Sequence, residues 1–369
     1  MRVAVIGHTY ILEANRGKLR CLSSLCGNLL FIAPDAWPEK DFGPRAFEPP
    51  GNLDGRPLPI RFGGRVRLYH FGNEDFKRTL GEFSPDILHV EAEAGSAAAL
   101  QSARAARALG CRLTQFCWEN IPMRPGIRKM LASWNFDGVG HLFCGSSGAV
   151  RTAKEDGYRG EASVVPQVGV DLESIGKAIP LRLFPETEFT VGVVARLDAK
   201  KGVIDVIRAL ADPSCKDARL AAIGDGPDRA VLEDVARNTL SERVRFAGAV
   251  RHEDVARYMK GFDVLVLASR DVPGWREQFG HVLVEGMAAG TPVIGSDSGA
   301  IPEVIGDAGI VFHQGKVDEL AAAVSKLMKD RDLRARLAGA GRKRAKEMFT
   351  DDVIAKKMFK VWQGMKAEG

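Results

Sequence analysis

Residues 277–290 read EQFGHVLVEGMAAG and hold the most informative spacing in the chain. Glu277 precedes an apolar helical pattern and Glu285 lies inside it, about two helical turns further on, so two carboxylates are predicted beside a helix N-terminus, where anions bind. A carboxylate accepts hydrogen bonds from a vicinal diol, and backbone N–H groups at Phe279 and Gly280 can face phosphate oxygens. The segment suits a sugar joined to a diphosphate, whereas an isolated glutamate pair is more typical of a solvent-facing helix.

Two cations follow a predicted strand upstream of this segment. Residues 189–196 read FTVGVVAR, and LDAKKG follows at 197–202. A cation at the end of a parallel strand and another before a glycine turn place positive charge at the sheet edge where open α/β sheets bind ligands. Arg196 and Lys201 are therefore candidates for holding a diphosphate. Alone, the Lys-Lys-Gly turn is more typical of a solvated helix start, and the nearby glutamates are what favour the diphosphate.

The C-terminal half resembles the retaining glycosyltransferases of family 4, which belong to group 1 and have the GT-B fold. The matching motifs occur in the order and spacing of that family. They are ARL at 195–197 with KKG at 200–202, IGDGP at 223–227, VRFAGAV at 244–250, DVLVL at 263–267, the glutamate segment, GTPVIGSD at 290–297 and IPE at 301–303.

The resemblance implies a role for each matched charged residue. It implies that Arg196 and Lys201 bind the donor diphosphate and stabilise its charge during transfer. It further implies that Glu277 holds hydroxyls of the transferred sugar and that Glu285 holds the ribose diol. Glu277, Arg196 and Lys201 are accordingly the predicted catalytic residues.

The resemblance also assigns the rest of the donor site. The backbone near Val250 is expected to meet the base, and the amides of Phe279 and Gly280 are expected to meet sugar or phosphate. Arg251 either stacks on the base or is an exposed arginine at a turn. The nucleotide, UDP or GDP, is a substrate, and because cationic side chains oppose the leaving diphosphate, neither a metal nor another cofactor is expected.

Length and composition favour two domains. A chain of 369 residues with 45% hydrophobic residues exceeds one typical core, and short apolar runs alternate with helical patterns, which predicts parallel sheets covered on both faces. The predicted class is α/β, and the resemblance implies the GT-B fold, with two doubly wound Rossmann-like domains facing a central cleft. An acceptor-binding domain is expected at 1–170, a linker at 171–187 and a donor-binding domain at 188–350, and the resemblance implies that a C-terminal helix at 351–369 completes the first domain.

The predicted strands are short apolar runs. In the first domain they lie at 2–7, 28–33, 65–71, 86–90, 112–118, 141–145 and 163–166, and in the second at 189–195, 219–223, 244–246, 263–268, 292–295 and 310–312.

Acceptor recognition is expected in loops that follow strands of the first domain. The candidates are His8 and Tyr10 after the first strand and Trp118, Glu119 and Asn120 after a later one, since aromatic rings suit sugar faces and carboxylates or amides suit hydroxyls. His8 could instead cap a strand end, and Trp118 could belong to the core. These loops depart from common family motifs such as a Gly-Gly pair in the first loop, so acceptor roles rest on position and residue type.

Charge and cysteine content limit the other classes of function. A formal net charge of +5 is too small to indicate nucleic acid binding. The six cysteines include no Cys-x-x-Cys, which is typical of reduced thiols in a cytoplasm, and the seven scattered histidines show no metal-ligand spacing. No apolar run reaches the length of a membrane span.

Basic and apolar residues lie together around Arg61 and Arg65 and again around Arg128, Met130 and Trp134. Such groups are either a solvated face or a surface that docks on anionic lipid. We therefore expect a cytoplasmic protein that can contact the inner face of a membrane peripherally.

The favoured function is transfer of a sugar to a hydroxyl acceptor, such as a lipid-linked, polysaccharide or small-molecule glycoside. Two alternatives share the fold: a sugar-nucleotide epimerase or phosphorylase, and a non-catalytic protein that binds nucleotide sugars. A dehydrogenase is disfavoured because no predicted strand opens into Gly-x-Gly-x-x-Gly.

Overall fold

The computed structural model describes residues 1–39 and 43–367, and the chain divides into two compact units. The first unit comprises Met1–Gly169 together with Asp351–Gly369, and the second comprises Val170–Thr350. Each has its own parallel sheet flanked by helices, so the α/β class is confirmed.

The elements of the two units follow in chain order. The first unit contains β1 (Arg2–Ile6), α1 (Gly17–Cys26), β2 (Asn28–Pro34), β3 (Ala36–Glu39), β4 (Gly43–Ala46), β5 (Asp54–Leu58), β6 (Ile60–Arg61), β7 (His70–Phe71), α2 (Asn73–Phe83), β8 (Ile87–Glu91), α3 (Ala97–Leu109), β9 (Arg112–Cys117), α4 (Ile127–Phe136), β10 (Val139–Cys144), α5 (Ser147–Glu155) and β11 (Glu161–Val164). The second contains α6 (Leu172–Lys177), β12 (Phe189–Val194), α7 (Val203–Leu210), β13 (Ala218–Ile223), α8 (Arg229–Leu240), β14 (Val244–Gly248), α9 (His252–Gly261), β15 (Val264–Leu267), α10 (His281–Ala289), β16 (Val293–Ser296), α11 (Ile301–Ile305), β17 (Gly309–Phe312), α12 (Val317–Lys329) and α13 (Arg331–Met348). The last helix, α14 (Asp351–Ala367), belongs to the first unit.

The sheet of the first unit has seven strands in the order β11-β10-β9-β8-β1-β2-β5, and its neighbouring strands pair in parallel. Strands β2 and β5 lie on one side of β1, and the later strands β8, β9, β10 and β11 lie in turn on its other side. The strand order therefore reverses between β1 and β8. In doubly wound sheets, ligands bind outside the carboxyl ends of the strands at this reversal.

The sheet of the second unit repeats this plan with six parallel strands in the order β14-β13-β12-β15-β16-β17. Counted along the chain from β12, the order is 3-2-1-4-5-6, so the reversal lies between β12 and β15. The motifs that follow these two strands are those that carry Lys201 and Glu277.

Burial explains why the central strands read as continuous apolar runs. Val3, Ala4, Val5 and Ile6 of β1 are all 0% exposed, because helices cover both faces of a parallel sheet. On one face, α14 lies against α1 and buries Trp362, whose indole N–H donates to Thr114 Oγ1 at 3.2 Å.

The structure differs from the predicted strands at one edge. Residues 65–71 read as a strand, but only His70–Phe71 is one, paired antiparallel with Ile60–Arg61. The N–H groups of Leu68 and Tyr69 both donate to the Arg65 carbonyl, which makes the preceding residues a turn. The edge of the sheet is instead Asp54–Leu58, which reads DGRPL, and an edge strand tolerates glycine and proline.

Residues 171–187, expected to be a linker, are part of the second unit. They contain α6, which begins at the Asp171 cap and lies against α10.

Candidate functional site

At the strand reversal of the second sheet, a cation and a carboxylate meet. A short 3-10 helix, Ala199–Lys201, follows β12, and the loop after β15 reaches Glu277. Lys201 Nζ lies 2.6 Å from Glu277 Oε2. The structure thus joins two residues that the sequence placed in separate motifs, at the position where doubly wound sheets bind ligands.

Gly202 allows this approach. It ends the 3-10 helix with φ of +64°, and a Cβ built on it would lie 1.9 Å from the carbonyl oxygen of Ala268. Only glycine adopts this conformation and leaves room for the backbone at the end of β15. The turn after β12 can therefore lie close enough to β15 for Lys201 to reach Glu277.

Glu277 is fixed through its side chain and its backbone. Ser269 Oγ donates to Glu277 Oε2 at 2.6 Å. The Glu277 N–H donates to Ser298 Oγ at 3.4 Å, and its carbonyl accepts from the Ala300 N–H at 3.0 Å. With 7% of its surface exposed, the residue is a largely buried carboxylate held in one orientation by the loops after β15 and β16.

Positive charge is concentrated in the loop after β12. The Arg196 side chain is 59% exposed, and its Nε lies 3.9 Å from Asp198 Oδ2, which is 3.6 Å from Lys200 Nζ. The ammonium groups of Lys200 and Lys201 lie 4.9 and 5.0 Å from the ring centre of Trp275, within cation–π range. The loop thus carries three cations, of which Lys201 contacts Glu277.

Helix α10 begins just after the loop that carries Glu277. Its N-cap is Gly280, with φ of +86°, and its first residue is His281. Glu277 therefore lies four residues before the helix and Glu285 four residues after its start. A loop segment and one helical turn therefore separate the two carboxylates.

Glu285 lies in a less hydrated setting than a surface glutamate. It is half-buried, and burial raises its pKa, while the charge of His252 opposes that shift. Phe279, 9% exposed, packs edge-on against Phe349 with the ring centres 5.8 Å apart. The Phe279 side chain therefore anchors the loop, which leaves its backbone as the part that can meet a ligand.

Val250 and Arg251 lie after β14. Val250 is half-buried against the core of the unit. Arg251 is the N-cap of α9, and its side chain, 76% exposed, pairs with Glu253 at 2.5 Å and with Asp254 at 3.2 Å. This geometry is that of an arginine at an exposed turn, with its guanidinium held by neighbouring acids.

In the first unit, Glu91 at the end of β8 is the centre of a buried polar cluster. Its Oε1 accepts from Lys18 Nζ at 2.5 Å and from the Tyr10 hydroxyl at 2.6 Å, and its Oε2 accepts from Gln167 Nε2 at 3.0 Å. Lys18 and Glu91 have side chains 1% exposed. Burial alone would raise the pKa of Glu91, but the Lys18 ammonium and the His89 ring hold it well below its usual range.

Tyr10 and His8 therefore have different settings. Tyr10 is 1% exposed with its hydroxyl on Glu91, so it lies inside the unit. His8 is half-buried, and burial lowers its pKa to about 4, which keeps the ring neutral at pH 7. Its ring centre lies 4.7 Å from that of Trp37 and 5.5 Å from that of Tyr69, and its buried Nδ1 has no hydrogen-bond partner within residues 1–39 and 43–367.

The loop after β9 is organised by another carboxylate, Glu93. Glu93 is 5% exposed, and its Oε1 accepts from the N–H groups of Trp118 at 2.7 Å and Glu119 at 3.0 Å. Burial and the Glu119 charge raise the pKa of Glu93 to about 7. Glu119 in turn pairs with Arg67 at 2.8 Å and Arg128 at 2.9 Å.

Trp118 and Asn120 flank Glu119 in the loop after β9. Trp118 is half-buried, between the core and the surface, and Asn120 is 8% exposed. Since β9 is adjacent to β8, and β8 to β1, the loops that carry His8 and Trp118 leave the same edge of the sheet.

Two residues with a defined place in these sites, Ser269 and Ser298, were not singled out from the sequence. Each follows a predicted strand at its carboxyl end, which is a usable signal. Lys18 was expected in the loop after the first strand, but it lies within α1, and its local sequence does not indicate its partner on β8.

Two features are absent from the described residues. Between residues 1–39 and 43–367, no group of three or more His, Cys, Asp or Glu side chains is arranged to hold a metal ion. In the same part of the chain, no helix combines the length and apolar character needed to cross a bilayer.

Comparison with known proteins relates this geometry to an enzyme class. Residues 177–344 match the family model described as glycosyl transferases group 1. The chain is 34% identical over 158 residues to N-acetyl-alpha-D-glucosaminyl L-malate synthase of Bacillus anthracis, which covers 42% of this chain and 40% of that enzyme. It is 27% identical over 323 residues to phosphatidyl-myo-inositol mannosyltransferase of Mycobacterium leprae, which covers 85% of this chain and 84% of that enzyme.

Solved structures agree at the level of the fold. The chain superposes on HepE from Anabaena in complex with UDP with a TM-score of 0.72 and 17% identity, over 99% of this chain and 100% of the other. The fold is GT-B, as the sequence predicted. The comparisons support the group 1 glycosyltransferase superfamily and a nucleotide-sugar donor, and they favour a transferase over an epimerase, a phosphorylase or a non-catalytic binding protein.

Proposed function

We propose, from the premise that the second unit matches group 1 glycosyltransferases, that the chain is a retaining glycosyltransferase of family 4. It transfers a hexosyl group from a UDP-sugar or a GDP-sugar to a hydroxyl acceptor. The observation that carries the proposal is the Lys201–Glu277 pair at the strand reversal, with Ser269 on the same carboxylate oxygen. A carboxylate held in this way accepts hydroxyl hydrogen bonds, and the cations beside it attract a diphosphate.

The donor diphosphate lies against Arg196 and Lys201. An ammonium has three N–H donors, so Lys201 can bond Glu277 and a phosphate oxygen together. Arg196, with its side chain 59% exposed, can present its planar guanidinium to a second oxygen. The N–H groups before α10 add the anion-binding character of a helix N-terminus.

The two glutamates divide recognition of the donor. Glu277, next to the cations, holds hydroxyls of the transferred sugar. Glu285, one turn inside α10, holds the ribose diol, and the backbone at Val250 meets the base. Arg251 is directed to its acidic neighbours, so we assign it a smaller part than the resemblance implies.

The reaction follows from charge placement. The bond between the anomeric carbon and the diphosphate oxygen breaks, which leaves positive charge on the sugar and negative charge on the phosphate. The acceptor oxygen forms its bond on the same face, and its proton passes to the departing phosphate oxygen. Arg196 and Lys201 stabilise the leaving group, so no side-chain nucleophile, metal ion or other cofactor is assigned.

The acceptor is assigned to the first unit. His8 is neutral, lies between aromatic rings and presents a buried nitrogen suited to a hydroxyl proton. Trp118, Glu119 and Asn120 lie in a neighbouring loop. Tyr10, buried on Glu91, positions this region and is not assigned a direct contact.

A lipid-linked acceptor at the cytoplasmic face of a membrane fits the surface of α4. Ile127, Met130 and Trp134 are 74%, 63% and 39% exposed, and their spacing places them on one face of the helix. Arg128 and Lys129 lie beside that face. Apolar and basic side chains together favour anionic bilayers, and relatives named as phosphatidylinositol mannosyltransferases support the idea.

The test is a screen of UDP- and GDP-sugars against the full chain. We expect one nucleotide to raise the melting temperature by mass action, slow release of sugar from its matching donor, and retained anomeric configuration in that product by NMR. Glu277→Gln is the matched control and should bind the nucleotide but lose turnover. If no nucleoside diphosphate stabilises the parent and no donor is consumed, the proposal is wrong.

A further inference from the structure

A groove lies between α2 and α3 on the first unit, and it contains none of the residues assigned to donor or acceptor. Its volume is about 710 Å³, within the range of about 300–1,000 Å³ for small-molecule sites. Phe76 and Leu80 from α2 and Leu100 and Ala105 from α3 form its apolar floor. Phe76 and Leu80 are 1% and 0% exposed, so the floor belongs to a fixed core.

The groove is elongated. Its lining on α3 extends from Ala97 to Leu109, the first and last residues of the helix, which is about 18 Å at 1.5 Å per residue. On α2 it extends from Asn73 to Leu80. An extended hydrocarbon chain matches a long apolar trough, and each buried methylene contributes about 0.8 kcal/mol.

The rim of the groove is cationic. Lys77 on α2 and Arg104 on α3 line it, and none of the lining residues in the described part of the chain is acidic. Gln101 is occupied elsewhere: its amide bonds the Phe71 backbone at 2.9 and 3.0 Å and the Asn73 side chain at 3.0 Å. The rim therefore offers two positive charges with which to hold an anion.

Helix α3, which forms one wall of the groove, also packs against α4. Arg104 and Arg107 lie 5.6 and 4.0 Å from the ring centre of Trp134, and Trp134 shares its helix face with the exposed Met130. A face of this composition suits a lipid–water interface. An anionic membrane lipid fits both the apolar groove with its cationic rim and the neighbouring exposed face of α4.

We propose that this groove binds the hydrocarbon chain of an anionic lipid, whose phosphate is held by Lys77 and Arg104. The groove is distinct from the proposed transferase site. Its occupant is a lipid of the membrane on which α4 lies, and not the sugar donor. Lipid would anchor the first unit and hold the exposed face of α4 at the bilayer.

The test is calorimetric titration of the full chain with monomeric dodecyl phosphate, with inorganic phosphate and uncharged dodecyl maltoside as comparison probes. We expect saturable one-site binding of dodecyl phosphate and no measurable binding of inorganic phosphate. The double variant Lys77→Gln/Arg104→Gln should lose about tenfold or more in affinity, the scale of a lost charge-assisted hydrogen bond. Ala108→Trp, which fills one exposed end of the groove, should do the same.

The matched control is Arg78→Gln/Lys154→Gln, which removes the same charge from exposed positions of the first unit outside the lining. It should bind dodecyl phosphate within about twofold of the parent, a change near 0.4 kcal/mol. Flotation with phosphatidylcholine vesicles, with and without phosphatidylglycerol, provides the second measurement, and only the groove variants should lose the part that depends on phosphatidylglycerol.

Equal loss in the groove and control variants would reduce the effect to general surface charge and overturn the proposal. Failure of the parent to bind dodecyl phosphate, or equal binding of dodecyl maltoside, would also overturn it. Nucleotide-induced stabilisation, measured in the same variants, should stay unchanged, so a negative lipid result is separable from failure of the transferase proposal.

Discussion

Lys201 Nζ and Glu277 Oε2 lie 2.6 Å apart, although 76 positions separate the residues in the chain. The pair spans the strand reversal of the second sheet and joins the diphosphate-binding loop to the carboxylate assigned to the sugar. Glu277 is largely buried, and this cation and the Ser269 hydroxyl both contact its Oε2. The two halves of the proposed donor site are therefore expected to respond together to mutation.

Arg196→Ala and Lys201→Ala should each weaken nucleoside diphosphate binding by about 1.5–3 kcal/mol, the scale of charge-assisted hydrogen bonds. Isothermal calorimetry with UDP and GDP measures the change. Lys200→Ala is the matched control, since Lys200 lies on the same loop and near the same Trp275 ring, and it should lose less than either.

The free energy of unfolding of both variants must be measured together with their nucleotide affinity. Lys201→Ala removes one cation from Glu277, and breaking a buried pair can cost up to about 3–5 kcal/mol; the cost is smaller here because the Lys201 side chain is 20% exposed. The Arg196 side chain is 59% exposed, so the melting temperature of Arg196→Ala is measured in the same way to separate lost affinity from lost stability. Unchanged affinity in both variants would contradict the assignment.

Glu285→Gln should impair binding of the free nucleoside diphosphate, whereas Glu277→Gln should spare it and impair turnover of the sugar-loaded donor. The reason is position: Glu285 is one turn inside α10, and Glu277 lies beside the cations at the strand reversal. Paired measurements of UDP or GDP affinity and of donor consumption separate the two. Equal loss of nucleotide affinity would count against the division of roles.

The second sheet and the residues at its carboxyl edge were predictable because strand, turn and motif are contiguous there. Arg196 and Lys201 directly follow β12, so placing the strand also places them. The edge of the first sheet was not predictable in the same way. Residues 65–71 alternate apolar and basic side chains but form a turn, and the true edge strand, DGRPL at 54–58, lacks an apolar pattern.

Contacts between residues far apart in the chain could not be predicted from local sequence patterns either. Lys18 reaches Glu91 and the carbonyl of Gln167, which is 149 positions away, and its own helix contains no sign of this.

Full activity should survive excess chelator, because Arg196 and Lys201 oppose the leaving diphosphate with side-chain charge. The measurement is donor consumption with and without EDTA, after dialysis against chelator. A divalent-ion-dependent transferase treated identically is the control. Activity that disappears with EDTA and returns with manganese would refute metal independence.

Glu93 should make the first unit less stable as pH rises. Its pKa is raised from 4.5 to about 7 by burial and by Glu119, with Arg128 opposing. Between these values the folded chain keeps a proton that the unfolded chain has released, so the stabilisation present below about pH 4.5 is lost by about pH 7. The expected loss is on the order of 3 kcal/mol at alkaline pH.

Glu93→Gln preserves the acceptor for the Trp118 and Glu119 N–H groups without the charge, so it should flatten that slope and raise the melting temperature above about pH 7. Glu161→Gln, at a side chain 92% exposed, is the matched control and should keep the parent slope. An unchanged slope in Glu93→Gln would show that this carboxyl is already ionised in the folded chain.

The loop after β9 offers the last test, because its role in acceptor binding rests on position and residue type. Glu119→Ala and Trp118→Ala should leave nucleotide affinity nearly intact, since both residues belong to the first unit and the donor motifs belong to the second. Both should reduce transfer to an acceptor more than donor hydrolysis, which needs only the donor site and water. The measurement is the ratio of transfer to hydrolysis.

Each variant of this loop needs its own stability control. Glu119 holds Arg67 and Arg128, so Glu119→Gln, which keeps part of that hydrogen bonding, distinguishes lost acceptor contact from a displaced loop. Trp118 is half-buried, so its truncation should cost less than the about 3–5 kcal/mol of a core tryptophan. If Glu119→Ala transfers sugar as well as the parent, the loop is structural, and acceptor binding should be sought at His8 and around Arg128.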